Sequence, residues 1–574
     1  MKKIISTFVF LFSVTLLWAQ MSVHIDDKRR TTMSNGILTI CIDNRGRVNS
    51  CEYKGTKLIA KPNSWYLSYN SNKYHELGAT TAVIQRQTED LIEVIYSNDT
   101  IHGAHWSQGF VLRKGVPGLY TYLACEGTDT PESIGEARVV YRLDDALFRD
   151  GYVNELAQGP MPSHELMKSV EKSGQIQDAT FYLPDSTIYT KYNWAAYMNE
   201  DHFHGVMSDS IGVWAMGVSM EYVNGGPLRQ DLMVHSDIKS TLLLQMFQAG
   251  HFGGFATEFK TGISKIYGPF FLYVNTGKNR EEMIADARKE ATRQEQQWPF
   301  QWMDHPLYDT QRSTVTGQIR ITNAMPKARL QVVLAQPGNI YTQGDKYIYW
   351  AESDKNGRFS IPHVRKGTYA LHAYAIEGEN TDELEAGDIK VNGEGLMVNV
   401  GTIEWAPSKH GTTLWRIGEA DRKATGFALS DVPRAYDNAL KCPKDLTFTI
   451  GKSKEKTDWY FCQPAKGTWT VRFQVKKIQG DSVYFTAAAA GATLYPIIRV
   501  QLNGTQIMEW KNWDKTDGAV YRSANQGGYY QVFQCVCPAS LLHKGWNTLE
   551  LVFPKQKRRG YGGVLWDCIK LEIE

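Results

Sequence analysis

Side chains able to do chemistry crowd into one stretch of the chain. Between residues 189 and 254 it runs Tyr189-Thr190-Lys191-Tyr192-Asn193-Trp194-Ala195-Ala196-Tyr197, then Asp201-His202-Phe203-His204-Gly205. There follow Asn224-Gly225-Gly226-Pro227-Leu228-Arg229-Gln230-Asp231-Leu232-Met233-Val234-His235 and Met246-Phe247-Gln248-Ala249-Gly250-His251-Phe252-Gly253-Gly254. Histidine suits proton transfer near neutral pH, and lysine or arginine suits an anion. His251 is flanked by Gly250 and Gly253-Gly254, where the missing Cβ lets a chain approach a ligand closely. Alone, it reads equally as a core or turn histidine, and Lys191 as a surface lysine. Arg138 and Arg142, four apart in a strand-like segment, point to one face. Two guanidiniums on one face suit carboxylates, although salt bridges to Glu136 or Asp144 fit as well. His204, Asp231 and His235 offer metal-type donors, but their spacing matches no dedicated site. The two histidines read as supporting or structural and Asp231 as a turn or salt-bridge residue. Tyr192, Trp194 and Tyr197 could stack on sugar rings, with alternate members turned into the core.

This block resembles the rhamnogalacturonan lyases of polysaccharide lyase family 4. The Lys-Tyr element followed by His-Gly, the Asn-Gly-Gly-Pro-x-x-Gln-Asp-Leu-x-x-His run and the later His-aromatic element occur there in this order. The resemblance implies β-elimination in rhamnogalacturonan I, at the bond from rhamnose to O4 of galacturonate. The C5 proton next to an ionised carboxylate is weakly acidic, so a cation must disperse the enolate-like charge while a base of near-neutral pKa takes the proton. By resemblance Lys191 and His251 form the catalytic pair. His251 is the base and Lys191 the cation at the carboxylate and donor to the leaving oxygen; the reverse holds if burial depresses the lysine enough. Arg138 and Arg142 resemble a substrate-binding pair, with Tyr192, Trp194 and Tyr197 as sugar contacts. No metal or cofactor is required, and a structural calcium in the C-terminal module is the one ion considered. Two other readings stay open. One is a non-catalytic pectin-binding protein; the other is a glycoside hydrolase using carboxylates such as Glu200, Asp201 or Glu221.

Composition narrows the alternatives. Lys+Arg at 63 against Asp+Glu at 61 leaves no basic stripe for nucleic acid. There is no phosphate-binding glycine loop, zinc-protease helix, serine-hydrolase elbow or EF-hand loop. Met1-Lys2-Lys3, the apolar run Ile4 to Trp18 and Ala19-Gln20 have the layout of a secretory signal, too short to span a membrane with confidence. A secreted or periplasmic monomer is expected. The eight cysteines include no CxxC pair; each reads as a small buried residue, and a Cys442–Cys462 bridge is possible. The basic cluster Lys555-Gln556-Lys557-Arg558-Arg559 reads as a solvated loop.

The elements that must position these residues are mostly strands. Alternation is plain in Trp469–Val475, Leu549–Phe553 and Tyr369–Tyr374, and turn signals such as Asn224-Gly225-Gly226-Pro227, Asn356-Gly357 and Asn503-Gly504 separate the runs. One helix, about 279–296, stands out by its helix formers and acidic first turn, and Trp298-Pro299 stops it. The expected class is all-β. Residues 1–19 are the signal, 20–305 a large catalytic β-sandwich, 306–405 a fibronectin type III-like module and 406–574 a carbohydrate-binding-like jelly roll. The last is expected to add affinity for polymer rather than chemistry.

Overall fold

The computed structural model describes residues 21–574 except 63, 100–102, 394, 523, 525, 526, 528 and 555–561, so the signal segment and the basic cluster lie outside the described residues. No sheet mixes strands from before residue 300, from 313–405 and from beyond 411.

The first region is a sandwich of a ten-stranded and a nine-stranded antiparallel sheet. Residues of both inner faces, among them Ile40, Leu67 and Val139 on one side and Val94, Phe110 and Leu272 on the other, share one core. Aromatic side chains bridge the layers, with Trp106 5.4 Å from Tyr69 and 6.1 Å from Phe247. The helix Arg280–Gln297 lies against the second sheet. Asn279 caps it by accepting from the Glu282 amide, and its Met283, Ala287 and Ala291 pack with Tyr120, Trp214 and Phe271. A second helix, His164–Gly174, was not anticipated: Ser163 caps it, and it buries only Met167, Val170 and Gly174.

In the ten-stranded sheet, Glu136–Leu143 lies between Trp65–Asn70 and Thr241–Gln248, with Val234–Ser236 beyond. Register sets Arg142 opposite Leu242 and Leu242 opposite His235, and Arg138 opposite Met246. Pairing is regular from Arg138 to Arg142, so both arginines project from one face. The strand Thr241–Gln248 then runs directly into the His251 loop.

Residues 313–405 form a three-stranded and a four-stranded sheet around Val315, Val332, Leu334, Ile361 and Leu371. The third region packs two five-stranded sheets. Trp469, Trp510, Trp513 and Trp566 fill its interior, whereas Trp546 is 43% exposed. The cysteines are free, with Cys442 and Cys462 Sγ 3.5 Å apart.

Candidate active site

Lys191 opens a short 3-10 turn, Lys191–Trp194, at the end of the strand Ile188–Thr190. Its amide donates to Ala179 O, and the Thr190 hydroxyl caps the turn at the Tyr192 amide. His251 comes from a different element, the glycine-rich loop after Thr241–Gln248. The two meet: Lys191 Nζ is 3.4 Å from His251 Nε2, and both side chains are nearly buried.

Carboxylates surround the pair on three sides. Asp231 Oδ1 lies 2.8 Å and Glu136 Oε2 3.2 Å from His251 Nδ1, which sits between them without aiming its N–H squarely at either. Asp231 is fully buried, and burial would raise its pKa. His251 and the Leu232 and Gly250 amides outweigh that and hold the carboxyl below its ordinary value. An acid at Nδ1 favours the tautomer that leaves Nε2 with the free lone pair. Exposed Asp178 accepts from Lys191 at 2.5 Å; the ammonium overrides what desolvation it has and lowers its pKa. Arg138 binds Glu136 at 2.8 Å, and its Nε has no partner among the described residues. Arg142 is more fully committed, to Asp237 at 2.9 Å and Ser240 at 3.1 Å. Burial, then Lys191, push His235 down to about 3, so it stays neutral among cations. The result is a half-buried wall holding two imidazoles, one ammonium and two guanidiniums.

Comparison with known proteins gives the wall a family. Residues 24–289 match the model described as rhamnogalacturonan lyase B, N-terminal; 315–396 match polysaccharide lyase family 4, domain II; and 413–571 match domain III of that family. A rhamnogalacturonate lyase of Dickeya dadantii (strain 3937) is 33% identical over 566 residues, covering 95% of this chain and 93% of its own. The chain belongs to the rhamnogalacturonan lyases of polysaccharide lyase family 4. Rhamnogalacturonate lyase B of Emericella nidulans is 25% identical over 609 residues, covering 89% of this chain and 88% of its own. The protein is therefore a polysaccharide lyase with a fibronectin-like second and a carbohydrate-binding-like third domain.

The aromatic platform expected at Tyr192, Trp194 and Tyr197 is not an open surface in this lyase. All three rings are buried. Tyr192 lies beside the pair, 6.2 Å from the His251 ring and 5.3 Å from Lys191 Nζ, but Arg522 of the third domain covers it at 4.1 Å. Trp194 packs where a Cβ on Gly151 would meet its ring, and Tyr197 sits under Lys423 at 4.2 Å. Among the described residues neither makes a ring or cation contact with the pair. The third domain packs over Tyr192 and Tyr197 and takes both rings into its interface, while Trp194 is buried against the first domain's own Gly151.

The carboxylates that a hydrolase would use are occupied elsewhere. Glu200 pairs with Lys423 at 2.9 Å, and Asp201 holds His204 at 2.9 Å. Burial opposes charging His204, but Asp201 outweighs it and the imidazole pKa rises. Glu221 is buried against Arg312 and Arg365. Among the described residues no three His, Cys, Asp or Glu side chains cluster as a metal site, and no helix is long and apolar enough to cross a membrane.

The parts played by four residues are not legible in the sequence. Asp231 was visible within the Asn-Gly-Gly-Pro-x-x-Gln-Asp run, yet nothing local ties it to a histidine twenty residues on. Asp178 stands in no pattern. Arg522 and Lys515 belong to the third domain, far along the chain, and no spacing rule could bring them to residues 191–255.

Proposed function

We propose that this lyase cleaves the rhamnose-(1→4)-galacturonate bond of rhamnogalacturonan I by β-elimination, as a monomer exported by its amino-terminal segment to the periplasm or beyond. The observation that carries the reading is the 3.4 Å approach of Lys191 Nζ to His251 Nε2 beside the arginine-bearing face. Galacturonate seats its carboxylate on Lys191, displacing the exposed Asp178, with Arg138 as a second cation. His251 Nε2 takes the C5 proton, and the C5–H electron pair becomes the C4–C5 double bond. The C4–O bond breaks with its electrons on oxygen, which accepts a proton from Lys191. Asp231 steadies the imidazolium that forms. Lys191 thus disperses charge that grows toward the transition state, where stabilisation accelerates the reaction. The step as written requires no cofactor.

The test is the product. Purified protein acting on rhamnogalacturonan I should raise the ultraviolet absorbance of an unsaturated uronate in step with new reducing ends. Reducing ends without that absorbance would mean hydrolysis, and neither signal would mean a binding protein.

A further inference from the structure

The loop that carries His251 is rich in glycine and is held by side chains from outside it. Residues 249–255 include Gly250, Gly253 and Gly254, and glycine gives a free chain more conformations than any other residue. Gly253 sits at φ 75°, and a Cβ on Gly254 would fall 2.3 Å from Ala249 O, so the loop doubles back tightly on itself. Its geometry comes from tethers. Asn224 exchanges two hydrogen bonds with the Ala249 backbone, at 2.8 and 3.0 Å. Asp231 accepts from the Gly250 amide at 2.8 Å. Arg229, buried, donates to Gly253 O, to Asn224 O at 2.9 Å and to Tyr341 O of the second domain at 3.3 Å.

The last tether comes from the third domain. Lys515 Nζ donates to Gly254 O at 2.8 Å and lies 3.9 Å over the Phe255 ring, which packs 4.3 Å from Tyr529. Among the described residues no carboxylate is within ion-pair distance of Lys515. Gln531 fixes the segment that carries it, accepting from the Asp514 amide and donating to Lys515 O. Two cations from different domains thus clamp the consecutive carbonyls of Gly253 and Gly254.

We propose that Lys515 is a positioning residue for the proposed elimination, so that the third domain completes the active site by fixing the His251 loop rather than only adding affinity for polymer. The inference rests on the functional reading above. A misplacement of about 1 Å in a reacting group can cost about 100-fold in rate, so losing one clamp should act on turnover more than on binding.

The experiment compares full-length wild type, Lys515→Met and Lys515→Arg on a short rhamnogalacturonan oligosaccharide, with amide hydrogen exchange of the peptide spanning 249–255. Lys515→Met should lower kcat by about 10- to 100-fold with KM within about twofold. Its Tm should stay within about 2 °C of wild type. Exchange in the 249–255 peptide should quicken, and Lys515→Arg should restore part of kcat. Unchanged kcat and exchange in Lys515→Met would overturn the proposal, as would a defect confined to KM on polymer. An inert wild type would remove the elimination reading instead, while the exchange comparison, which needs no turnover, would still decide the tether. If Lys515→Met does not fold, Tyr529→Leu, which loosens the Phe255 contact, carries the same two outcomes.

Discussion

At the scale of single residues, the site depends on which groups are spent and which are free. Arg142 is tied down by Asp237 and Ser240, whereas the ion pair that Arg138 makes among the described residues is with Glu136 at the edge of the pair. Arg138 is therefore the guanidinium better placed to meet a uronate. Asp231 is the least replaceable acid, fully buried and touching His251 Nδ1 and the Gly250 amide at once. Asp231→Asn keeps the shape but removes the charge that steadies an imidazolium and its tautomer. It should lower kcat by at least about 10-fold with little change in KM, since acid–base groups typically contribute about 100- to 10,000-fold. Steady-state kinetics on a defined oligosaccharide would check this, and an unaltered kcat would separate Asp231 from the chemistry.

At the scale of elements, what the sequence disclosed depended on range. Strands such as Gly467–Val475 and Gly545–Phe553 were legible because one face is buried and the residues alternate. The helix Arg280–Gln297 was legible from its helix formers and acidic first turn. The Arg138/Arg142 face followed from strand period alone and matches the observed register. The Lys191–His251 pair was reached through family resemblance, not spacing; sixty residues and two separate elements divide them. The burial of Tyr192 and Tyr197 was not legible because their cover, Arg522 and Lys423, comes from another domain. Alternation reports that a side chain is buried but not against what.

At the scale of the molecule, the three domains interlock. Glu221 of the first is buried between Arg312 at 2.7 Å and Arg365 at 3.0 Å, and Tyr349 of the second donates to it. Burial alone would raise this carboxyl, but the two guanidiniums bring it from 4.5 down to about 2. A depressed carboxyl contributes stability that is present above about pH 4.5 and lost as pH falls toward about 2, on the order of 3 kcal/mol. Thermal unfolding across that window should show the loss. Glu221→Gln should remove it and cost about 3–5 kcal/mol at neutral pH, because two buried guanidiniums lose their partner. A variant as stable as wild type would show that the junction does not rely on this pair. The third domain closes over the wall through Arg522 and Lys515, so the site is a property of the whole chain. In the proposed elimination one ammonium and one imidazole open the sugar chain together. The most direct measurement follows unsaturated-uronate absorbance for wild type, Lys191→Ala, His251→Ala and the double variant side by side. Each single variant should stay folded and lose at least about 100-fold in turnover, with the double variant little worse than either. A folded single variant that cleaves at a near wild-type rate would take that residue out of the chemistry.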